Sequence, residues 1–490
     1  MPNAPIARRA ATADPYAWLE QRDNAEVMDY LRQENAYLEE VLADQSELRE
    51  SLFNEIKNRI RETDLSLPSP YGPWLYYQRT VAGDEYPRHF RCPRPAADSL
   101  QVDPANEQLL LDPNALAYGG SLAPGAFSIS PDHQLLAYSL DTTGDEIYQL
   151  FIKDLATGAI TTLPFDQCDG SLTWANDNRT LFFGELDDTH RPHRLYRHTL
   201  GSTEAKLVFE EPDGRFFLHC YRASSERQLI LQLGSKTTSE AWVLNADTPL
   251  GEFRCLATRE EEHDYDVDHG QLDGQWRWLI RSNQNGINFA LYALDEDAAK
   301  ASSNSREQWR ELVVHDPQVM LEGFCLNASA YVLSLREGGL PVIQVHPAGL
   351  PSYRVQLPDA AYSLSVQDTL EFASPRIRLR YEALNRPAQI RQLELASGAQ
   401  QVLKETAVLG PFDADAYVSQ RLWATAADGT RIPISLVARR DVLAALDKAA
   451  TPAPLYLYGY GAYGECLDPW FSHARLSLLE RGFVYAVAHV

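Results

Sequence analysis

The sequence predicts a β-propeller inserted into an α/β domain, and three observations carry that expectation. The first is a double change of character. Helical patterning runs to about Ile60, short strand-like runs fill Trp74 to Leu409, and strand–helix–strand follows to Val490. The second is internal repetition. Ser130-Pro-Asp-His-Gln-Leu-Leu-Ala-Tyr138 aligns with Ala175-Asn-Asp-Asn-Arg-Thr-Leu-Phe-Phe183 and with Ala223-Ser-Ser-Glu-Arg-Gln-Leu-Ile-Leu231, at spacings of 45 and 48 residues. Lys153-Asp-Leu-Ala-Thr-Gly-Ala-Ile-Thr-Thr-Leu163 aligns with Leu393-Glu-Leu-Ala-Ser-Gly-Ala-Gln-Gln-Val-Leu403, 240 residues on. The third is the size of the repeat. A period in the upper forties with several strands per unit is that of a propeller blade, and about 335 residues give roughly seven blades. A two-sheet sandwich does not use so long a region as one unit.

The elements follow in order. Asp14-Pro15 reads as the start of a helix, with a capping acid and a proline tolerated in the first turn. Leu48, Leu52, Ile56 and Ile60 recur every four residues and predict one apolar stripe, with Glu39, Glu40, Glu47 and Arg49 between apolar positions. Pro68-Ser-Pro70 and Gly72-Pro73 end this region. The middle alternates β-branched and aromatic runs with Gly, Asp, Asn and Ser turns. Beyond Leu409, Ser419 to Ala424 and Arg431 to Val437 read as strands around Ala427-Asp-Gly-Thr430. Asp441 to Ala449 reads as a short helix or loop. Leu455 to Tyr458 follows as an apolar strand, then Ala474 to Glu480 as a helix stopped at Gly482. Phe483 to Val490 is nearly uniformly apolar, as expected of a strand buried on both faces of a parallel sheet. The expected domains are 1–72, a helical segment; 73–408, the propeller; and 409–490, the first strands of the α/β domain.

Composition narrows the function. A chain of 490 residues with 44% hydrophobic and 23% charged residues is globular and too long for one core. No eighteen-residue apolar run predicts a membrane span, and the N-terminus has no apolar core for a secretory signal. The formal charge of −24 repels phosphate backbones, so nucleic acid is excluded as an expected partner, and cationic ligands are favoured. Cys92, Cys168, Cys220, Cys255, Cys325 and Cys466 show neither metal-ligand nor redox spacing and read as reduced thiols of a cytoplasmic protein. His263 and His269 lie in the acidic run Glu260-Glu-Glu-His-Asp-Tyr-Asp-Val-Asp-His269, which reads as a solvated loop. No cofactor and no metal are expected.

Several segments resemble the prolyl oligopeptidase family of serine peptidases, and within it the oligopeptidase B group. The N-terminal ones are Asp14-Pro-Tyr-Ala-Trp-Leu-Glu20, Tyr30-Leu-Arg-Gln-Glu-Asn35 and Glu55-Ile-Lys-Asn-Arg-Ile60. The middle contributes Phe127-Ser-Ile-Ser-Pro-Asp132 and Asp141-Thr-Thr-Gly-Asp-Glu146. The longest are Leu457-Tyr-Gly-Tyr-Gly-Ala-Tyr-Gly464 and Arg475-Leu-Ser-Leu-Leu-Glu-Arg-Gly-Phe-Val-Tyr-Ala486. The resemblance implies a seven-bladed propeller inserted into an α/β-hydrolase domain, gating access so that only short peptides are cleaved, after Arg or Lys. Short basic peptides are then the expected partners. It implies that Tyr460 donates to the oxyanion hole, where a phenol stabilises developing charge. It places Tyr463 beside the substrate pocket and Asp468 where acids receive a basic side chain; Trp470 stands where a second acid can occur.

The resemblance also requires a serine, activated by histidine and oriented by aspartate. No Gly-x-Ser-x-Gly elbow occurs; Gly119-Gly-Ser-Leu-Ala123 lacks the last glycine, and Ser121 reads as part of a propeller loop. His489 matches a non-catalytic position. The resemblance places Ser, Asp and His beyond Val490, so the chain is expected to be a fragment, inactive alone. The alternative reading is a non-catalytic propeller that binds peptides or a partner protein.

Overall fold

In the computed structural model, which describes residues 4–6, 14–96, 98–117, 120–301, 306–367, 370–446, 448 and 452–490, Asp14 makes a turn. Its carboxylate accepts from the Tyr16 N–H (2.8 Å), but only a short 3-10 turn, Ala17–Glu20, follows. The expected continuous helix is two helices. α1 (Ala25–Val41) starts at Asn24, whose side chain accepts from the Glu26 N–H, and α2 (Ser46–Asn58) follows a second 3-10 turn. Leu52 and Ile56 of the predicted stripe are half-buried, whereas Leu48 and Ile60 are exposed.

Seven sheets follow in chain order, spanning 64–111, 123–162, 173–210, 217–257, 265–313, 319–354 and 362–405, each built of antiparallel neighbours. They are blades 1 to 7. The inner edge of blade 1 comes from Asp64–Leu65 and Ser69–Tyr71, both paired with Trp74–Thr80. The sequence echoes mark one recurring turn, between first and second strands. His133, Asn178 and Glu226 occupy the same place in three blades, and all have φ near +60°. Gly158 and Gly398 do the same in the turn between third and fourth strands of blades 2 and 7.

Apolar clusters join neighbouring blades. One cluster holds Leu110 and Tyr138, another Leu150 and Trp174, and a third Phe182 and Leu231. Ile230 joins Tyr265, Leu279 joins Leu333, and Val345 joins Tyr381. Among the described residues no such cluster joins blade 7 to blade 1. That seam is polar: Lys404 pairs with Asp64 (2.6 Å), Arg94 with Glu371 (2.7 Å) and Arg376 with Asp98 (2.8 Å). Arg378 donates to the Pro68 carbonyl (2.6 Å) and the Ser69 hydroxyl (3.1 Å).

The acidic run leading into blade 5 is an exposed turn only over residues 260–262; beyond it the solvated-loop reading fails. His263 and His269 are buried, and Tyr265–Leu272 is the inner strand of that blade. His263 meets the Ser282 hydroxyl at 2.7 Å and His269 the Ser225 hydroxyl at 2.8 Å. Alternation explains the difference: Asp264, Asp266 and Asp268 point one way, while Tyr265, Val267 and His269 point into the core. Charge on one face disguised a core on the other.

The last sheet is mixed rather than wholly parallel. β1 (Tyr417–Thr425) pairs with β2 (Arg431–Arg439), which pairs antiparallel with β4 (Val484–Ala488). Only β3 (Leu455–Gly459) runs parallel to β4, and it forms the edge of the sheet. The helix Arg440–Leu446 covers most of the described part of the segment expected as helix or loop, with Lys448 in a turn; Ala449 lies outside the described residues. The next helix, His473–Leu479, is capped by Ser472 and ends before Gly482, whose φ of +82° stops it. This helix meets α2: Arg59 donates to the Ser477 hydroxyl (2.6 Å) and Arg481 pairs with Glu55 (2.7 Å). Among the described residues no helix is long and apolar enough to cross a membrane.

Candidate active site

Tyr460 follows the C-terminal end of β3 directly, and its side chain is partly open, at 38%. The loop after it is held close to the end of β4. A Cβ on Gly461 would lie 2.9 Å from Val490, so this position needs glycine. Tyr463 adopts φ +59° and is 86% exposed, with the Lys236 ammonium 5.9 Å from its ring centre. Lys236 lies between the second and third strands of blade 4. Gly338, whose carbonyl accepts from Arg421 of β1, occupies the equivalent turn of blade 6. The last sheet therefore docks on the ring face that carries second-to-third-strand turns.

Asp468 is not a free carboxylate. It pairs with Arg336 of blade 6 at 2.7 Å, and Arg336 also pairs with Glu322 of the inner strand at 2.5 Å. Burial lowers the Arg336 guanidinium, but hydrogen bonds to Asp468 and Glu322 more than offset this and raise it overall. Two carboxylates around one guanidinium leave one net negative charge on these three groups, with the Arg421 guanidinium also nearby. Trp470, half exposed, lies under the Arg475 guanidinium at 5.1 Å and carries no charge to this cluster. Sequence reasoning missed Glu322 and Arg336, because they reach Asp468 only through the folded ring.

His489 is buried, meets the Ser435 hydroxyl at 2.7 Å and the Leu467 carbonyl at 2.8 Å, and has its pKa lowered by burial. Ser435 is fully buried, so no substrate reaches that hydroxyl. Ser121 is exposed on the approach to blade 2; Gly119 of the same segment lies outside the described residues. Among the described residues no group of three or more His, Cys, Asp or Glu side chains is placed to hold a metal ion.

A seven-bladed ring resting on an α/β sheet defines a propeller-capped α/β protein, and comparison with known proteins specifies which kind. Residues 4–406 match the N-terminal beta-propeller domain of prolyl oligopeptidase. The chain is 36% identical to dipeptidyl aminopeptidase BI of Pseudoxanthomonas mexicana, covering 97% of this chain and 66% of that one. It is 31% identical to protease 2 of Moraxella lacunata, covering 97% and 67%. Its fold is similar to oligopeptidase B from Leishmania major, with TM-score 0.88, 28% identity and coverage of 97% and 67%. The chain belongs to the prolyl oligopeptidase family, on its oligopeptidase B-like side. It spans about two thirds of the length of the curated relatives it matches.

Proposed function

We propose that this chain forms the propeller and the oxyanion-side part of an oligopeptidase B-like serine peptidase that hydrolyses short peptides after Arg or Lys. Tyr460 is the donor to the developing oxyanion, and Tyr463 flanks the substrate. Serine, histidine and aspartate are supplied by a further polypeptide segment that extends the sheet from β3; the 490-residue chain alone does not turn peptides over. The exposed faces of Leu455, Tyr456, Leu457 and Tyr458 on this edge strand support that addition. The proposed limits are those of the sequence reading: 1–72 and 409–490 on the hydrolase side, 73–408 in the propeller.

The observation that carries the substrate class is the Asp468–Arg336–Glu322 cluster. Its residual negative charge lies on the ring face toward Tyr460, and it replaces the second acid that Trp470 lacks. A cationic side chain completes the cluster as a two-acid, two-base arrangement.

Equilibrium binding tests this. A short peptide containing arginine is compared with the same peptide containing citrulline, which keeps the shape and loses the charge. The arginine peptide is expected to bind roughly tenfold more tightly, about 1.4 kcal/mol, and Glu322→Gln is expected to shrink that ratio. Equal affinities for the two peptides would overturn the basic-substrate reading.

A further inference from the structure

On the opposite face of the ring, at the mouth of its central channel, lies a cavity of 930 Å³. It is lined by turns between first and second strands, including Asn176, Ser225–Arg227 and Phe372–Pro375. Those turns lie at the other end of the blades from the turns that meet the last sheet. The cavity is thus distinct from the surroundings of Tyr460. A second cavity of 800 Å³ continues inward and shares Tyr71, Arg222 and Glu226 with it. Cavities of this size, roughly 300–1,000 Å³, hold small organic ligands.

The charges in this cavity are unusual. Three of the five arginines lining it have an acid: Arg94 pairs with Glu371, Arg376 with Asp98, and Arg227 with Glu296. Arg222 and Arg378 do not; among the described residues neither has a carboxylate within ion-pair distance. Arg222 donates to the carbonyls of Trp174 and Glu226, and Arg378 to that of Pro68 and to the Ser69 hydroxyl. Burial lowers the pKa of Arg378, although an arginine remains charged at neutral pH. Two carboxylates are likewise without a cation in range: Glu226, which accepts from the Tyr71 hydroxyl at 3.0 Å, and Asp247, which accepts from the Asn176 amide at 2.7 Å. Tyr71 belongs to blade 1 and Glu226 to blade 4, so their bond crosses the channel mouth.

We propose that this cavity is a second peptide site, built for a short zwitterionic peptide. The free carboxylate is taken by Arg222 and Arg378, and the free ammonium by Glu226 and Asp247. Charges of both signs that leave each other unpaired in one half-enclosed cavity are complementary to a ligand bearing both signs. A purely anionic ligand would meet the two carboxylates, and a purely cationic one the two guanidiniums. The choice of a peptide among zwitterions rests on the proposed function. The ligand needs no basic side chain, which separates this site from the Asp468 cluster.

Calorimetric titration of the 490-residue chain with triglycine, N-acetyl-triglycine and triglycine amide tests the proposal. Triglycine is expected to bind, and each capped peptide to lose tenfold or more in affinity. Glu226→Gln, which can still accept from Tyr71, is expected to reduce the penalty for acetylation and keep that for amidation. The proposal is overturned if no triglycine binding is seen, if either cap has no effect, or if Glu226→Gln leaves the acetylation penalty unchanged. Peptide cleavage is not read, so a failure here is distinguishable from a failure of the peptidase assignment.

Discussion

At the scale of single residues, burial rather than composition sets the chemistry. Burial pushes His263 down to about 4 and His269 down to about 3, with nearby Arg306 and Arg227 adding to the effect. Both are neutral in the fold and titrate near 6.5 when unfolded. Their contribution is complete above pH 6.5 and is lost as pH falls toward the folded values, because the unfolded chain takes up the protons first. Asp268 works the other way. Burial raises it to about 6, so acidification below that value favours the fold until the unfolded carboxyl protonates near 3.8. The two histidines outweigh it, at roughly 2 kcal/mol each by pH 5. Urea midpoints are expected to be lower at pH 5 than at pH 7, and His269→Gln to lessen the difference. A variant with an unchanged difference would show that His269 is not part of this acid sensitivity. The roles of Tyr460, Tyr463 and Asp468 came from resemblance. What the residues alone could not show was that Asp468 is already engaged by Arg336, 132 positions earlier.

At the scale of elements, legibility followed local chemistry. The propeller was readable because the turn after the inner strand of blades 2, 3 and 4 holds a left-handed residue, and the segments around His133, Asn178 and Glu226 repeat for that reason. Gly158 and Gly398 were visible as echoes on the same ground. The N-terminal region was less readable. Asp14 does accept a backbone N–H, as a cap should, but Asn24 does so for a helix that continues. Capping chemistry marks a turn; tertiary packing decides whether a helix extends from it. The strand at His269 was missed because its aspartates alternate one for one with core residues, so the run read as acidic although every second side chain is buried. The parallel sheet was half right. β3 and β4 are parallel, but the hairpin of β1 and β2 attaches antiparallel to β4, a pairing between segments far apart in sequence.

At the scale of the whole molecule, the ring has one joint unlike the others. Six blade interfaces are apolar, whereas blades 7 and 1 meet through Lys404–Asp64, Arg94–Glu371 and Arg376–Asp98. Partly exposed ion pairs of this kind contribute about 1 kcal/mol or less each and weaken with salt. Amide hydrogen exchange is expected to accelerate in blades 1 and 7 on going from 0.05 to 1 M NaCl (concentrations of roughly this size bracket strong and weak screening), with blades 3 to 5 little changed. Uniform behaviour around the ring would refute a polar weak joint. The same molecule presents the last sheet, with Tyr460 beside its open edge, to the opposite ring face from the zwitterionic cavity. Under the proposed function, charged cluster and tyrosine belong to the peptide-handling part of a peptidase, and acyl transfer would require groups on an added segment. The most direct measurement is hydrolysis of an arginine-containing fluorogenic peptide by the 490-residue chain, with and without a serine-directed inhibitor. No inhibitor-sensitive turnover is expected; robust turnover abolished by the inhibitor would overturn the proposed division of the active site.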